Sequence, residues 1–393
     1  MTLSLAEKIR AFDPALPLER ARTIPSTWYR DADVFEAERR TVFARTWLAA
    51  GRAGVVKEPG SFLTTEIAGE PVAVVRDEVG TLRAFHNVCR HRAAPVLTEP
   101  CGRATRLRCR YHGWTYDLAG RLRGTPEFDG VEEFCREENG LVPLAVEEWG
   151  PFVWVCAAPA PGPLAEHLGP LPRQFAALNL DQLRWAGSSS FEVRCNWKVF
   201  IDNYLDGGYH VNSVHPGLAG ILDYTEYRTE VDGHVSAQVS PLRPAEAGGP
   251  SETVARARTG DKAYYFWVFP NVMFNFYEGY LDTNIVLPLG PDRCRVDYEF
   301  YFAQTDGAEA QRHIAESIAV SDQVQIEDGV ICEEVQRGLG SRSYDAGRYC
   351  VRREVAVHAF HRLLARSLRG AGILPAEPLA GKMPAPRGAE SAS

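Results

Sequence analysis

The stretch Cys89-Arg90-His91, followed after 17 intervening residues by Cys109-Arg110-Tyr111-His112, decides the reading of this chain. Each short loop offers one thiolate and one imidazole, so the two together can grip a binuclear metal centre from opposite sides. Histidine on one iron replaces thiolate, removes negative charge and raises the reduction potential well above that of an all-cysteine cluster. Such a centre accepts electrons readily and passes them on singly. Zinc is the alternative, because two Cys and two His also form a tetrahedral zinc set. The usual zinc-finger order places both Cys before both His, which this sequence does not. Gly113-Trp114 suits a tight turn that covers a cluster with an aromatic shell. Arg90, Arg92, Arg103, Arg106, Arg108 and Arg110 read as a solvated rim that can steer an electron-donating partner. Cys101, between the loops, reads as a buried thiol.

The rest of the composition narrows the class. The chain has 393 residues, 45% hydrophobic and 24% charged, with a formal charge of −8. It is therefore long enough for two or three domains and carries no electrostatic footprint of a nucleic-acid binder. Nine cysteines, an odd number, do not make a disulfide scaffold. MTLSLAEKIRAFDP holds no apolar run suited to a signal peptide, and no stretch approaches the ~20 apolar residues of a membrane span, so the expectation is a soluble, cytoplasmic protein.

Along the chain, residues 1–46 read as an N-terminal arm with a short helix at 5–12 and a second one capped by Asp33 and running to Arg45. Residues 47–157 read as a β-rich iron–sulfur domain, with strands near 72–75, 81–88 and 152–156. The proline-punctuated 158–163 marks the boundary to a mixed domain over 158–370, with strands near 191–195, 264–268, 283–287 and 295–302 and a helix over 313–338. Residues 371–393, rich in Pro, Gly and Ala, are expected to be disordered.

A second metal site is suggested by 199–217, VFIDNYLDGGYHVNSVHPG. His210 and His215 are five apart, which is not the same-face pair of an HExxH helix. They can still converge if the helix carrying His210 ends near Asn212-Ser213 and His215 folds back. Two imidazoles and one carboxylate make a facial triad for Fe(II) with positions left open for O2. The carboxylate candidates are Asp322, Glu327 and Asp328. Asp328 is preferred because it precedes the apolar Val330, Ile331 and Cys332, although periodicity alone does not rank it above Asp322. The two sites explain each other, since O2 activation at a mononuclear iron needs electrons that a one-electron cluster can deliver.

With both motifs in hand, the chain from about Trp28 to Leu364 resembles the large subunit of Rieske non-haem iron oxygenases. The resemblance implies an α+β fold, a β-rich Rieske [2Fe-2S] domain followed by a helix-grip, START-like catalytic domain. It implies that Cys89, His91, Cys109 and His112 bind the cluster and that His210, His215 and Asp328 bind Fe(II). It further implies a head-to-tail homotrimer, or a dimer of trimers, in which a carboxylate joins the cluster histidine of one subunit to the iron histidine of the next. Many family members carry that acid three residues before the first iron histidine. Here that position is Gly207, and Asp206 is chosen instead, with Asp202 as the alternative. Electrons from NAD(P)H are expected through a separate ferredoxin or a flavin/iron–sulfur reductase, because no nucleotide-binding GxGxxG with its acidic partner is present.

Within the family, Asp202–His210 and Leu281-Asp-Thr-Asn-Ile-Val-Leu-Pro-Leu-Gly-Pro291 are most similar to choline monooxygenases and related quaternary-ammonium enzymes. That implies hydroxylation of choline or a betaine, with loss of formaldehyde where an N-methyl is attacked. Tyr265, Trp267, Phe274, Phe276 and Tyr277 are the expected pocket aromatics, through cation–π attraction. The other readings are an aromatic ring-hydroxylating or O/N-demethylating oxygenase, and a Rieske electron carrier without catalysis. Three irons per chain mark the oxygenase and two mark the carrier.

Replacing Cys109 by Ser exchanges a thiolate for a much weaker ligand. The Cys109→Ser protein is expected to lose the visible absorbance of the oxidised cluster and its acid-labile sulfide. A variant with full absorbance and normal sulfide content overturns the ligand assignment.

Overall fold

A computed structural model describes residues 3–370, so the tail expected to be disordered lies outside the described residues. The N-terminal arm folds as α1 (Leu5–Arg10), α2 (Ser26–Arg30) and α3 (Ala32–Glu38), which runs into a π-helical turn over Arg39–Phe43. The helix expected from Asp33 to Arg45 thus forms over Ala32–Phe43, but its cap position is Asp31 and not Asp33, and its last turn is π-helical. Asp31, with extended backbone (φ −87°, ψ 128°), separates α2 from α3. The two aspartates are used otherwise, both holding the Lys8 ammonium, at 2.6 and 2.8 Å.

The first β unit contains β1 (Leu48–Arg52), β2 (Ser61–Ile67), β3 (Glu70–Arg76), β4 (Leu82–His86) and β5 (Cys101–Arg103). It continues with β6 (Leu107–Arg108), β7 (Thr115–Tyr116), β8 (Leu122–Gly124), β9 (Pro143–Trp149) and β10 (Phe152–Cys156). Seven of these form one antiparallel sheet in the order β1-β10-β9-β4-β3-β2-β5, and β6-β7-β8 form a small second sheet. The β3–β4 turn is fixed locally: Asp77 accepts from the amides of Val79 and Thr81 at 3.1 and 2.8 Å, and Gly80 takes the left-handed conformation. Cys101 is exposed rather than buried, because β5 is an edge strand paired only with β2.

After α4 (Leu164–Leu168) and α5 (Leu171–Ala176), β11 (Arg184–Val193) opens the second large sheet. Its other strands are β12 (Arg228–Asp232), β13 (Val235–Pro241), β14 (Lys262–Val268), β15 (Val272–Tyr277), β16 (Tyr280–Gly290) and β17 (Arg293–Phe302). They pair antiparallel in the order β11-β17-β16-β15-β14-β13-β12. β11 starts well before the expected residue 191. Gly187-Ser-Ser-Ser190 has no apolar alternation, yet all four residues are paired to β17. Helices α6 (Trp197–Leu205), α7 (Val211–Val214), α8 (Pro216–Ala219), α9 (Glu252–Ala257), α10 (Ala308–Leu339) and α11 (Val355–Leu368) complete the unit.

Period-two alternation gives this sheet two different faces. Phe266, Phe274, Phe276, Leu281 and Ile285 point to one side, where they form a core with Phe152, Trp154 and Phe175 of the preceding elements. The opposite face meets the helices, and on it Gln238, Tyr265, Asn275, Tyr277, Asp282, Asn284 and Tyr298 line a cavity. The sheet thus joins the two halves of the chain with one face and builds a polar, aromatic chamber with the other.

A buried ion pair ties the arm to α6. Lys198 Nζ lies 2.7 Å from Glu38 Oε1, both side chains are fully buried, and Trp197 Nε1 donates to Glu38 Oε2 at 2.9 Å. Burial raises the Glu38 carboxyl and lowers the Lys198 ammonium from their ordinary values, against their mutual attraction. Removing one partner strands a buried charge, which typically costs about 3–5 kcal/mol. Lys198→Met is therefore expected to lower unfolding stability by that order in denaturant titration, with much of the loss recovered in Lys198→Met/Glu38→Leu. A change within about 0.5 kcal/mol in the single variant, the range of ordinary surface substitutions, contradicts this.

Candidate active site

The two cysteine–histidine loops share one backbone design. The Cys89 amide donates to the Ala94 carbonyl and the Ala93 amide to the Cys89 carbonyl; Cys109 with Trp114 and Gly113 with Cys109 repeat the pattern. The fourth residue after each cysteine is left-handed, Ala93 at φ 59° and Gly113 at φ 73°. Both thiols are buried, and burial raises the Cys109 thiol above its ordinary value, so a thiolate there needs a metal's positive charge. The Tyr116 hydroxyl accepts from the Arg90 amide at 3.0 Å and lies 3.3 Å from Cys89 Sγ, where it can donate. His91 stacks on Trp114 (centroids 4.8 Å apart, 7° between planes) and sits 4.6 Å from the His112 ring. His91 Nδ1 is buried without a hydrogen-bond partner, as a nitrogen reserved for a metal is expected to be.

His210 and His215 flank the single turn of α7 as its two caps. The turn brings their Nε2 atoms to 3.1 Å, and Asp328 Oδ1 lies 3.0 Å from His215 Nε2 and 3.6 Å from that of His210. Ligand atoms about 2.0–2.2 Å from one ion and mutually cis are separated by ~3 Å, so the trio fits a single metal. Among the described residues it is the one group of three or more His, Cys, Asp or Glu whose ligand atoms all lie within 4.8 Å. The four cysteine–histidine ligands do not converge that far. Tetrahedral zinc would draw them to about 3.3–3.8 Å of one another, whereas a binuclear cluster spreads them over two irons.

The other end of each imidazole is held by a carboxylate. Asp206 Oδ2 lies 2.7 Å from His210 Nδ1, and Glu327 Oε2 lies 2.7 Å from His215 Nδ1. A carboxylate can only accept, so each Nδ1 carries the proton and each Nε2 lone pair is free for a metal. Burial opposes a charge on His215, but Asp328 and Glu327 outweigh it and hold the metal-free imidazole above its ordinary value. Asn203 Nδ2 donates to Asp328 Oδ1 at 2.6 Å. Asp206 also accepts from the amides of Tyr209 and His210, both at 2.9 Å. This wrap requires Gly207 and Gly208, each at φ 71°. A Cβ on Gly207 would strike the Arg353 carbonyl, and one on Gly208 would come 2.9 Å from the Tyr227 ring.

The weighed acids thus separate by position. Asp328 belongs to the trio, Glu327 orients His215, and Asp322 is in neither group. Of the three neighbours used to rank Asp328, Val330 is exposed and Cys332 is buried. Asp328 faces inward through helical phase instead, in register with the buried Ser321, Gln325 and Cys332. Asp202 makes no hydrogen bond to His210 or His215; its oxygens are taken by Tyr29 at 2.5 Å and His361 at 2.9 Å. Beside the trio opens a cavity of about 100 Å³. Tyr265 and Tyr277 line it. Phe274 and Phe276 do not, because alternation turns them to the other face, and Trp267 packs farther along its strand against Phe360. Tyr204, Tyr227, Tyr298, Arg258 and Asp282 line it without having been singled out; the pairing register places Asp282 and Tyr298 there, and the packing of α6, α9 and the segment before β12 brings in the others.

Comparison with known proteins agrees with this geometry. Residues 46–135 match the Rieske [2Fe-2S] domain, and residues 180–370 match the ring-hydroxylating alpha subunit catalytic domain. The chain is 40% identical over 378 residues to the chloroplastic choline monooxygenase of Arabidopsis thaliana, covering 93% of this chain and 87% of that protein. The chain belongs to the Rieske non-haem iron oxygenases. Its cofactors are a Rieske [2Fe-2S] cluster and a mononuclear iron in a His/His/Asp site. The carnitine monooxygenase oxygenase subunit of Acinetobacter pittii is 30% identical over 333 residues, 82% of this chain and 87% of that protein. A crystal structure of the quaternary ammonium Rieske monooxygenase CntA superposes with a TM-score of 0.80 at 28% identity, covering 90% of this chain and 98% of that one. Among the described residues no helix is long and apolar enough to cross a membrane.

Asp328→Ala removes the anionic member of the trio. The variant is expected to lose most of its mononuclear iron while keeping cluster iron and sulfide, and Asp322→Ala is expected to keep both. Iron analysis that finds the reverse moves the carboxylate ligand to Asp322.

Proposed function

We propose that this oxygenase hydroxylates a small quaternary ammonium compound, choline or a betaine, held in the tyrosine-lined cavity beside His210, His215 and Asp328. The observation that carries the reading is the lining itself: Tyr204, Tyr227, Tyr265, Tyr277 and Tyr298 surround a space that opens on the trio. Aromatic faces attract an alkylammonium without needing hydrogen bonds from it. Relatives named for choline and carnitine oxidation support the same reading. In this proposal Cys89, His91, Cys109 and His112 hold the cluster, and His210, His215 and Asp328 hold Fe(II). When bound, the cluster supplies single electrons and the iron activates O2 for C–H hydroxylation.

The chain's own residues do the rest. Asp206 and Glu327 fix the tautomer and aim of the two imidazoles, and Asn203 holds the Asp328 carboxylate in one rotamer. The tyrosines position the cation and exclude water, so the carbon nearest the metal decides the product. We also propose that copies assemble head to tail, as a trimer or a dimer of trimers, with Asp206 joining His210 to His112 of a neighbouring copy. His112, Tyr111 and Tyr209 are exposed, and Asp206 retains a lone pair beyond those used within the chain. One of the CntA structures is described as revealing inter-subunit electron transfer. The six arginines beside the cluster loops are exposed and would receive a ferredoxin or reductase that carries electrons from NAD(P)H. The division into an arm at 1–46, a Rieske domain at 47–157 and a catalytic domain at 158–370 belongs to the same proposal. So does the helix-grip description, supported by the antiparallel sheet with α10 laid against its cavity face.

Chemically pre-reduced, iron-loaded protein exposed to O2 is expected to hydroxylate at least one of choline, carnitine and glycine betaine, with product identified by mass, and to leave small aromatic rings unchanged. Oxidation of the aromatics alone contradicts the substrate reading. In the same single-turnover format, Asp206→Asn should retain both metal centres but slow cluster reoxidation by about 10–100-fold, the loss typical when a carboxylate that orients a metal-bound histidine is removed. Asp202→Asn, which touches Tyr29 and His361, should reoxidise nearly normally. A larger defect in Asp202→Asn transfers the bridge to that residue.

A further inference from the structure

Arg258, the residue that closes α9, is the only lysine or arginine among the described residues lining the cavity. Its side chain is 4% exposed, and that of Asp282, 4.0 Å away, is 5% exposed. A buried guanidinium in a substrate cavity is ordinarily the feature that recognises a carboxylate, through its rigid fork of donors. Here much of the fork is already engaged within the protein. Nη1 donates to the Ala257 carbonyl at 3.2 Å, and Nη2 lies 2.6 Å from Ser321 Oγ and 3.3 Å from both the Tyr280 hydroxyl and the Ser317 carbonyl. The Tyr280 and Tyr277 rings cover it, with centroids at 4.3 and 5.2 Å. Asp282 is equally engaged: Oδ2 accepts from the Tyr280 and Ser321 hydroxyls at 2.6 and 3.1 Å, and Oδ1 from the Asn275 amide at 2.5 Å.

We propose that the Arg258–Asp282 pair is a specificity-determining charge filter, admitting a quaternary ammonium with an uncharged tail and rejecting one that carries a carboxylate. The inference rests on the quaternary-ammonium reading above and chooses between its two substrate classes. Apart from the metal-binding trio, the pair leaves the lining with no net charge. An ammonium entering the cavity meets tyrosine faces, and Asp282 cancels the repulsion that Arg258 alone would exert. A hydroxyl tail can exchange hydrogen bonds with neutral groups such as Asn284 and Tyr204. A carboxylate meets a guanidinium whose charge Asp282 already offsets and whose Nη2 is engaged by Ser321, Tyr280 and Ser317, and an ionised group buried without a full counter-charge is disfavoured.

The test measures kcat/KM of the full-length, metal-loaded enzyme for choline, glycine betaine, carnitine and γ-butyrobetaine. The wild-type chain is expected to favour choline over each carboxylate-bearing compound by more than about tenfold, as a cavity lacking a needed polar partner does. Asp282→Asn keeps the shape, removes the negative charge and leaves Arg258 unneutralised. It should raise KM for choline, shift the choline-to-betaine ratio at least about tenfold toward the betaines, and acquire inhibition by acetate that the wild type lacks. Comparable or better wild-type turnover of a betaine overturns the filter, and this holds even if the variant does not fold. So does a folded, metal-loaded Asp282→Asn protein with an unchanged ratio and no acetate inhibition. A wild-type enzyme that oxidises none of the four overturns the quaternary-ammonium reading itself and the filter with it.

Discussion

His210 Nε2, His215 Nε2 and Asp328 Oδ1 are held 3.0–3.6 Å apart, close enough for one metal ion to take all three. The protein around the trio fixes that convergence. Asp206 and Glu327 hold the imidazoles from behind, Asn203 holds Asp328, and the single turn of α7 sets the spacing of the histidines. Each holder comes from an element with its own reason to be rigid. Asn203 and Asp206 belong to the end of α6, whose start is anchored by the buried Lys198–Glu38 pair. Glu327 and Asp328 stand on α10, whose inward face packs over the cavity. The site is therefore as well defined as the packing of two helices on one sheet.

That sheet also links the two metal-binding units. Its apolar face forms a core with Phe152, Trp154 and Phe175, while its other face carries tyrosines, amides and the Arg258–Asp282 pair. Each strand's alternation serves both purposes, so a one-residue slip would exchange them, placing phenylalanines in the chamber and charged groups in the inter-unit core. The burial of both sets fixes the register. The N-terminal arm, which the sequence leaves without evident chemistry, contributes to the same stability through Glu38 and through Tyr29, whose hydroxyl donates to Asp202.

The metal-binding character of the chain was legible because it rests on short-range patterns. Cys89, His91, Cys109 and His112 lie in two loops whose spacing identifies them, and His210 and His215 need only one helical turn to meet. The double glycine after Asp206, with Gly207 and Gly208 left-handed, lets the chain wrap back so that the carboxylate holds His210 Nδ1. The preference for Asp328 rested on an incomplete reason, since of the apolar residues after it Val330 faces solvent, and helical phase with Gln325 and Cys332 is what turns Asp328 inward.

The sequence by itself determined the family resemblance, the two metal-binding motifs and part of the strand and helix order, because these depend on residue type and local spacing. The tertiary structure alone decided which aromatics line the cavity, which acid serves which histidine, and that Arg258 meets Asp282. Tyr265 and Phe274 are both aromatic strand residues, and only the register and the side covered by helices put one in the chamber and the other in the core. Arg258 and Asp282 are 24 residues apart on different elements, and no periodicity announces their pairing. Contacts of that kind come from burial of the whole sheet, which no short stretch of the chain encodes.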